Sequence, residues 1–278
     1  MKFTKMQGIG NDYIYVNCFL EKVEDPSALS VRLSDRHFGV GADGLILICP
    51  SDAADCRMDM YNADGSRGKM CGNGIRCVGK YMYERGIAPK NVLTVETLSG
   101  VKTLRLDVRD GSVRSVEVDM GAPVLEAAKI PVRFSADRVV NAPLSVGGGQ
   151  YTVTCVSMGN PHCVVFTDDP DAVQLEKTGP LFEHHAAFPE QVNTEFVRVV
   201  SRGLLQMRVW ERGSGETLAC GTGACAAAVA GVLCGRSDRS VRVRLRGGEL
   251  SIRWDEQTGH VFLKGPADFV FDGTVEAE

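Results

Sequence analysis

The sequence predicts an α+β protein made of two similar halves. A cysteine precedes a glycine-rich turn and a helical run twice, at Met70-Cys71-Gly72-Asn73-Gly74 and at Ala219-Cys220-Gly221-Thr222-Gly223. Four pairs of landmarks share one separation of 149 residues (220 minus 71, for example): Asn11 and Asn160, Gly44 and Asn193, Asn62 and Glu211, and Cys71 and Cys220. Both helical runs are followed by alternating strands with turn residues between them. Such self-similarity at a fixed offset indicates a duplicated unit, with a site expected where the halves meet.

The sequence of the first half predicts strands on either side of a short amphipathic helix. Strand-like sequence over residues 3–16 is interrupted by Gly8-Ile9-Gly10-Asn11-Asp12, where glycines allow close approach to a ligand. Helical spacing of Leu29 and Leu33 predicts a helix over residues 26–36. Buried and alternating strands are predicted over residues 45–48 and 57–61, and the helix after Cys71 is expected to stop near Gly86.

The strand-rich segments after the first cysteine helix indicate an antiparallel meander. Residues 94–97, 103–108 and 113–118 alternate, with Ser99-Gly100 and Asp110-Gly111 as hairpin turns. Three prolines and a triple glycine loosen the pattern over residues 121–149, so the boundary between the halves is expected there. Strands are then predicted over residues 151–156, 163–166, 196–200 and 206–210, followed by the Cys220 helix and strands over residues 241–245, 250–254 and 261–263.

The composition favours a cytoplasmic protein of two domains. The chain has 278 residues, 44% of them apolar and 24% charged, which suits two domains of about 130 residues each. A net charge of −4 and a pI near 5.8 disfavour nucleic acid and anionic membranes as partners. The longest apolar run, over residues 224–234, is too short to span a bilayer.

The ten cysteines do not form the pattern of a disulfide scaffold or a zinc site. Cys49, Cys155, Cys163 and Cys234 lie within apolar runs, and we expect them to be buried reduced thiols. Paired C-x-x-C motifs are absent, so no metal site is predicted. Cys77 and Cys225 are expected to lie on the faces by which their helices pack against the rest of the protein.

Two thiols at helix N-termini suggest proton transfer at a stereocentre. The first N–H groups of a helix lack intrahelical acceptors, attract anions and favour a thiolate. One thiolate could remove a proton from one face of a carbon while the other thiol returns one to the opposite face. Backbone N–H groups of Gly72-Asn73 and Gly221-Thr222 could stabilise the substrate carboxylate without a metal or pyridoxal cofactor.

Other polar residues have structural interpretations that spacing alone leaves open. Asn11 and Asn160 are turn formers unless the repeated Gly-Asn pattern marks a site. Glu211-Arg212 could be a solvated pair at a strand end, and His162 a satisfied buried histidine.

Together these motifs resemble diaminopimelate epimerase. GIGNDY at Asn11, NADGS at Asn62, MCGNGIRC at Cys71, GNPHCV at Asn160, VNTEF at Asn193 and WERGSGETLACGTGACA from Trp210 onward match in order and separation. The resemblance implies two pseudo-symmetric domains, each a mainly antiparallel β-barrel-like sheet around a central helix. It implies a first domain of residues 1–119 plus about 265–278, and a second of residues 120–264.

The resemblance also implies a reaction and a role for each site residue. The family interconverts LL- and meso-2,6-diaminopimelate without a cofactor, for lysine and peptidoglycan synthesis, as a cytoplasmic homodimer. Cys71 and Cys220 would be the acid/base pair, and His162 and Glu211 would tune them. The substrate-binding residues would be Asn11, Asn62, Gly72, Asn73, Asn160, Asn193, Glu211, Arg212, Gly221 and Thr222. Many relatives carry Gln where this chain has Gly44, so that contact would be missing here.

Two other readings remain open from sequence. A racemase similar to proline racemase would share the duplicated architecture, although those enzymes typically carry His at the position of Asn73; phenazine-biosynthesis relatives lack the cysteine pair. A non-catalytic protein would instead use the ten cysteines to bind metal or to carry out redox chemistry. Stoichiometric zinc in the purified protein would favour this interpretation, and its absence would favour the thiol pair.

Overall fold

The computed structural model describes residues 1–276, which divide into two compact units. The first comprises Met1–Asp119 together with the chain from Lys264 onward, and the second comprises Met120–Leu263. Of the predicted C-terminal segment 265–278, the last two residues lie outside the described part. No helix in the described chain is long and apolar enough to cross a membrane.

The elements follow the chain in a repeated order. The first unit contains β1 Lys2–Gly8, β2 Asn11–Asn17, α1 Pro26–Ser34, β3 Gly44–Cys49, β4 Cys56–Asn62, β5 Arg67–Gly68, α2 Gly72–Glu84, β6 Val92–Thr97, β7 Gly100–Arg109 and β8 Ser112–Asp119. There follow a 3-10 turn Ala127–Lys129, β9 Ala142–Val146, β10 Gly149–Ser157, β11 Pro161–Phe166, α3 Leu175–Glu183, β12 Asn193–Ser201, β13 Leu204–Glu211, β14 Gly215–Glu216, α4 Gly221–Leu233, β15 Ser240–Leu245, β16 Gly248–Trp254, β17 Val261–Gly265 and β18 Asp268–Thr274.

The first unit is a mainly antiparallel sheet wrapped around α2. Its strands pair in the order β18-β1-β2-β3-β4-β6-β7-β8, and only β2 with β3 and β4 with β6 are parallel. Helix α2 contacts β18, β1 and β2 as well as β7 and β8, which lie at opposite ends of that order. The sheet therefore curls around the helix, and residues 72–82 of α2 are buried as a result.

The second unit repeats this plan around α4. Its strands pair in the order β9-β10-β11-β12-β13-β15-β16, with β11 and β12, and β13 and β15, as the parallel pairs. The sequence of α4 is alanine-rich and apolar on all sides, and a helix of this kind is stable when it is enclosed. Helix α4 contacts β10, β11, β12, β13, β15 and β16. The expected α+β fold, with one helix enclosed by each sheet, is confirmed.

Several local predictions are confirmed. Helix α2 ends at Glu84, and Gly86 takes the left-handed φ of 70° that suits a helix stop. Asp110 and Gly111 form the β7-β8 turn with φ values of 52° and 75°. Cys49, Cys77, Cys155, Cys163 and Cys225 are buried free thiols.

Other local predictions are wrong. The stretch 3–16 is not one interrupted strand but an antiparallel hairpin, β1-β2, turning at Ile9 and Gly10 with φ values of 50° and 87°. The β6-β7 turn consists of Leu98 and Ser99, while Gly100 already pairs with Thr97. Cys234 is only half-buried because it caps the C-terminal end of α4. Helix α3, strand β9 and the short strands β5 and β14 are not predicted from the sequence.

Candidate active site

Cys71 is the N-cap of α2 in the first unit. Its extended backbone, with φ −124° and ψ 122°, ends the loop after β5 and starts the helix. The Gly74 N–H donates to Cys71 Sγ at 3.3 Å, and the Cys71 thiol donates to Asn11 Oδ1, also at 3.3 Å. Gly72 and Asn73 are the first two residues of the helix, where N–H groups have no intrahelical acceptor. Cys71 therefore lies beside a cluster of N–H groups that favours an anion.

Asn11 is held in place by a carboxylate that sequence reasoning did not single out. Asn11 Nδ2 donates to Asp43 Oδ2 at 2.7 Å, and Asp43 also accepts from the Asp12 N–H and from Arg36 Nη2. Burial, and then the charge of Asp12, raises the pKa of the Asp43 carboxyl. Asp43 thereby fixes the Asn11 amide so that its oxygen faces Cys71.

Asn62 and Asn73 have partners within the first unit. Asn62 Nδ2 donates to Ser66 Oγ at 2.9 Å across the β4-β5 turn. The Asn73 side chain is buried and accepts from Arg76 Nη1 at 2.9 Å. Arg76 also donates to the carbonyls of Gly72 and Pro266, so it ties the first turn of α2 to the chain before β18.

Gly44 owes its identity to close packing of the backbone. It pairs with Asn62, and a Cβ at this position would lie 2.2 Å from the Tyr61 carbonyl oxygen and 2.9 Å from the Tyr13 ring. A side chain would thus require β3 and β4 to move apart. In this structure the backbone of β4 therefore occupies the place that a side chain at position 44 would take.

Cys220 is the N-cap of α4 in the second unit, with nearly the same backbone as Cys71, φ −125° and ψ 111°. Its surroundings differ in charge. Burial, followed by the carboxylates of Glu211 and Glu195, raises the pKa of the Cys220 thiol well above its usual range, although Thr222 and the Gly223 N–H act in the opposite direction. The helix N-terminus favours a thiolate, but at Cys220 desolvation and two carboxylates outweigh it in the substrate-free chain.

Glu211 is electrostatically coupled to Cys220. Its carboxylate accepts a hydrogen bond from the Thr217 hydroxyl. Burial raises the pKa of the Glu211 carboxyl, while Thr217, Cys220 and His162 lower it in part. The role of Glu211 in tuning a site thiol stays a prediction, which this coupling supports.

His162 is coupled to the site through Glu195, which sequence reasoning missed. Both side chains are 0% exposed, and His162 Nδ1 lies 2.7 Å from Glu195 Oε1. His162 Nε2 lies 3.0 Å from Asn160 Oδ1. A Cβ on Gly223 would be 2.6 Å from Glu195 Oε1, so this glycine in the first turn of α4 lets the carboxylate approach the helix. Glu195 Oε2 is buried without a hydrogen-bond partner among residues 1–276.

Asn193 and Arg212 are joined by a backbone hydrogen bond. Asn193 is buried, its Nδ2 donates to the Pro161 carbonyl at 3.0 Å, and its Oδ1 accepts from the Arg212 N–H at 2.9 Å. The Arg212 side chain is exposed, with Nη1 donating to the Glu190 carbonyl at 2.8 Å. Asn193 therefore positions the start of the Arg212 loop, and the guanidinium keeps most of its donors for a ligand.

The second unit also has a groove of about 680 Å³ that contains none of the predicted site residues. Its lining includes Tyr151, Phe166, Lys177 and Arg236. Among residues 1–276 no group of three or more His, Cys, Asp or Glu side chains is arranged to hold a metal ion.

The proton on Cys220 can be tested by its reactivity. Because the Glu211 carboxylate helps to raise the pKa of the Cys220 thiol, Glu211→Gln should lower that pKa. More thiolate should then be present at pH 8 to 9, and alkylation by iodoacetamide should be faster by about tenfold for each unit by which the pKa falls. The rate is measured by mass spectrometry of the Cys220 peptide between pH 7 and 10, with the exposed Glu176→Gln as the control. An unchanged rate would show that Glu211 does not set the proton affinity of Cys220.

Comparisons with known proteins point to one family. The family model for diaminopimelate epimerase matches residues 3–126 and 154–270. The chain is 56% identical to the diaminopimelate epimerase of Acetivibrio thermocellus over 276 residues, covering 99% of both chains. It is 50% identical to that of Methanococcus maripaludis, covering 99% of this chain and 100% of the relative.

Solved structures with distant sequences share the fold. A probable proline racemase from Agrobacterium radiobacter K84 superposes with a TM-score of 0.74 at 16% identity, covering 100% of this chain and 93% of the other. The phenazine biosynthesis protein of the PhzF family from Bacillus anthracis gives 0.73 at 16% identity, covering 100% and 99%. At this identity the likeness concerns architecture alone.

Proposed function

This chain belongs to the diaminopimelate epimerase family, and we propose that it interconverts LL- and meso-2,6-diaminopimelate with Cys71 and Cys220 as its acid/base pair. The observation that carries this proposal is the pair of cysteine N-caps, 149 residues apart, at the start of the two enclosed helices. The sequence match over nearly the whole chain decides against a proline racemase-like activity and against a cysteine metal protein.

Two thiols can invert a stereocentre because proton removal and proton return occur on opposite faces of the carbon. Cys220 holds its proton firmly in the substrate-free chain and is suited to be the donor. In that direction Cys71 is the base, and the Gly74 N–H at 3.3 Å supports the charge on its sulfur. In the reverse direction the two residues exchange roles, which requires Glu211 and the His162-Glu195 pair to tolerate a transient thiolate at Cys220.

The carbanion formed at the α-carbon needs electrostatic stabilisation at its carboxylate. We assign this to the backbone N–H groups at the first two positions of each helix, from Gly72 and Asn73 in α2 and from Gly221 and Thr222 in α4. Fixed N–H dipoles at a helix start stabilise developing negative charge without reorganising during the reaction. This chemistry requires no cofactor, because the thiols move the proton and the helix starts hold the charge.

The remainder of the substrate would be held by amides and one guanidinium. Asn11, Asn62, Asn160 and Asn193 provide donors and acceptors for its ammonium and carboxylate groups, and Glu211 provides an acceptor for an ammonium. The exposed Arg212 guanidinium offers a planar fork for the distal carboxylate. This arrangement would favour a substrate with two amino-acid ends.

The cellular context is proposed from the family alone. We place the activity in lysine and peptidoglycan precursor synthesis, in the cytoplasm. We propose a homodimer as the active form, in which the two units of each chain are its two functional domains. Neither nucleic acid nor membrane is proposed as a partner. Light scattering of the purified protein tests the dimer.

The activity is tested with LL-diaminopimelate in deuterated water. We expect meso product carrying one deuterium at the inverted α-carbon, while substrate recovered early in the reaction stays largely unlabelled, because a different residue returns the proton. Chiral chromatography with mass spectrometry follows both species, and L-proline serves as the control substrate. Racemisation of proline with no turnover of diaminopimelate would reject the assignment.

A further inference from the structure

Each unit contains an ion pair at the same place, with the charges reversed. Asp59 pairs with Arg67 in the first unit, and Arg208 pairs with Glu216 in the second. The partners are 149 residues apart in both cases, the offset that separates the two cysteines. The position that is acidic in one half is therefore basic in the other, while the pairing is the same.

In the first unit the pair joins β4 to the short strand β5. The Asp59 side chain is 10% exposed and accepts from Arg67 Nη2, and also from Arg57 Nε at 3.0 Å. Arg67 is opposite Tyr61 in the β4-β5 ladder, which has only two paired positions. A two-residue strand has little hydrogen bonding of its own, so the ion pair adds a side-chain connection to a weakly held segment.

In the second unit the pair is bidentate. Arg208 Nε and Nη2 donate to the two oxygens of Glu216 at 2.8 and 2.9 Å, and Arg208 Nη1 donates to the carbonyls of Pro170 and Val173 at 2.9 Å. Glu216 is opposite Trp210 in the β13-β14 ladder, the register that repeats Tyr61 and Arg67. Forked pairs of this kind fix orientation as well as distance.

These short strands lead directly into the cysteines. Cys71 follows Arg67 by four residues, and Cys220 follows Glu216 by four residues. The same two hairpins carry Asn62 and Glu211 at the ends of β4 and β13. A shift of β5 or β14 would therefore displace a thiol and the polar side chain beside it.

We propose that Asp59–Arg67 and Arg208–Glu216 are positioning pairs that hold the segments entering Cys71 and Cys220 in the geometry that proton transfer requires. This inference rests on the proposed function of the two cysteines. Reversal of the charges with the pairing retained indicates that the connection itself, not the charge of either residue, is what the two halves share. Since proton transfer depends steeply on distance, small displacements of a thiol should reduce turnover more than they reduce substrate binding.

Arg67→Gln is the first test, because Arg67 is half-exposed and its loss should not prevent folding. We expect kcat to fall between about tenfold and a hundredfold with KM changed less than about threefold. Amide hydrogen exchange in the peptide covering residues 62–71 should become faster. Arg67→Lys, which keeps the charge, should recover most of both properties, and Arg109→Gln, which breaks the exposed pair with Asp107, should change neither.

Reversing the charges of the first pair gives a sharper test. Gln206 is the equivalent of Arg57, so Arg57→Gln, Asp59→Arg and Arg67→Glu together copy Gln206, Arg208 and Glu216 into the first unit. Asp59→Arg alone places three cations together and should be the least active variant. The triple variant should exceed it by at least about tenfold in kcat and regain slow exchange over residues 62–71.

The outcomes separate this inference from the proposed function. A wild-type protein without epimerase activity would reject the function itself. Unchanged hydrogen exchange in Arg67→Gln would show that the pair does not hold β5, and faster exchange with unchanged kcat would show that β5 does not position Cys71. A triple variant no better than Asp59→Arg would likewise contradict the proposal.

Discussion

Replacing Cys71 or Cys220 by serine is expected to reduce epimerisation by at least about 10³-fold, because a hydroxyl cannot take the place of a thiol as the base or acid. Each cysteine is an N-cap, and serine is a good N-cap residue, so the helix start should survive the change. The loss should therefore appear in kcat, with a thermal unfolding midpoint close to that of the native chain. Conversion of LL- to meso-diaminopimelate, followed by chiral chromatography, measures the effect.

Two other cysteines serve as matched controls for this test. Cys234 lies at the opposite end of the same helix as Cys220, and Cys18 is a half-buried thiol in the same unit as Cys71. Cys234→Ser and Cys18→Ser should keep activity within about threefold of the native chain. If Cys71→Ser or Cys220→Ser retained near-native kcat, the two-base mechanism would be wrong.

Arg212→Met is expected to raise KM for diaminopimelate between about tenfold and a hundredfold, since a hydrogen-bonded charged group typically contributes about 1.5–3 kcal/mol. The backbone bond from the Arg212 N–H to Asn193 Oδ1 does not need the side chain, so the loop should keep its conformation. The exposed guanidinium makes one hydrogen bond, to the Glu190 carbonyl, among the described contacts. Steady-state kinetics on LL-diaminopimelate measures the change.

Lysine provides an independent readout of the same contact. Lysine lacks the distal carboxylate, so the native chain should use it poorly. Arg212→Met should bring the KM values for lysine and diaminopimelate closer together. Arg198→Met, at an exposed position of β12, is the matched control and should leave KM unchanged. Equal use of lysine and diaminopimelate by the native chain would contradict the role given to Arg212.

The duplication and the cysteine helices could be predicted from sequence because they depend on local chemistry. A cysteine before Gly-x-Gly marks a helix start, and the 149-residue offset aligns the halves without any structure. Asp110-Gly111 specifies its turn for the same reason: both residues tolerate positive φ. Helix α3 was missed although Leu175, Gly179 and Phe182 are buried at helical spacing, because Pro180 within it argues against a helix in the sequence.

The electrostatic difference between the two cysteines was decided by tertiary structure. By the offset of 149, Glu195 takes the place of Ile46, and a Cβ on Gly74 would lie 2.6 Å from Ile46 as one on Gly223 would from Glu195. A polar residue replacing an apolar one in a central strand was the signal that sequence reasoning could have used. Its consequence depends on burial, because a carboxylate changes the pKa of a nearby thiol strongly only when water is excluded.

The sequence by itself thus determined where the two thiols stand in the repeat and that each begins a helix, since capping and turn formation involve residues close along the chain. Only the tertiary structure decided that the pKa of the Cys220 thiol is raised, that Glu195 contacts His162, and that two ion pairs of opposite polarity connect β5 to β4 and β14 to β13. These properties arise from side chains 8 to 33 residues apart, brought together by strand pairing and shielded from water. Their strength is set by distance and burial, which residue order alone does not specify.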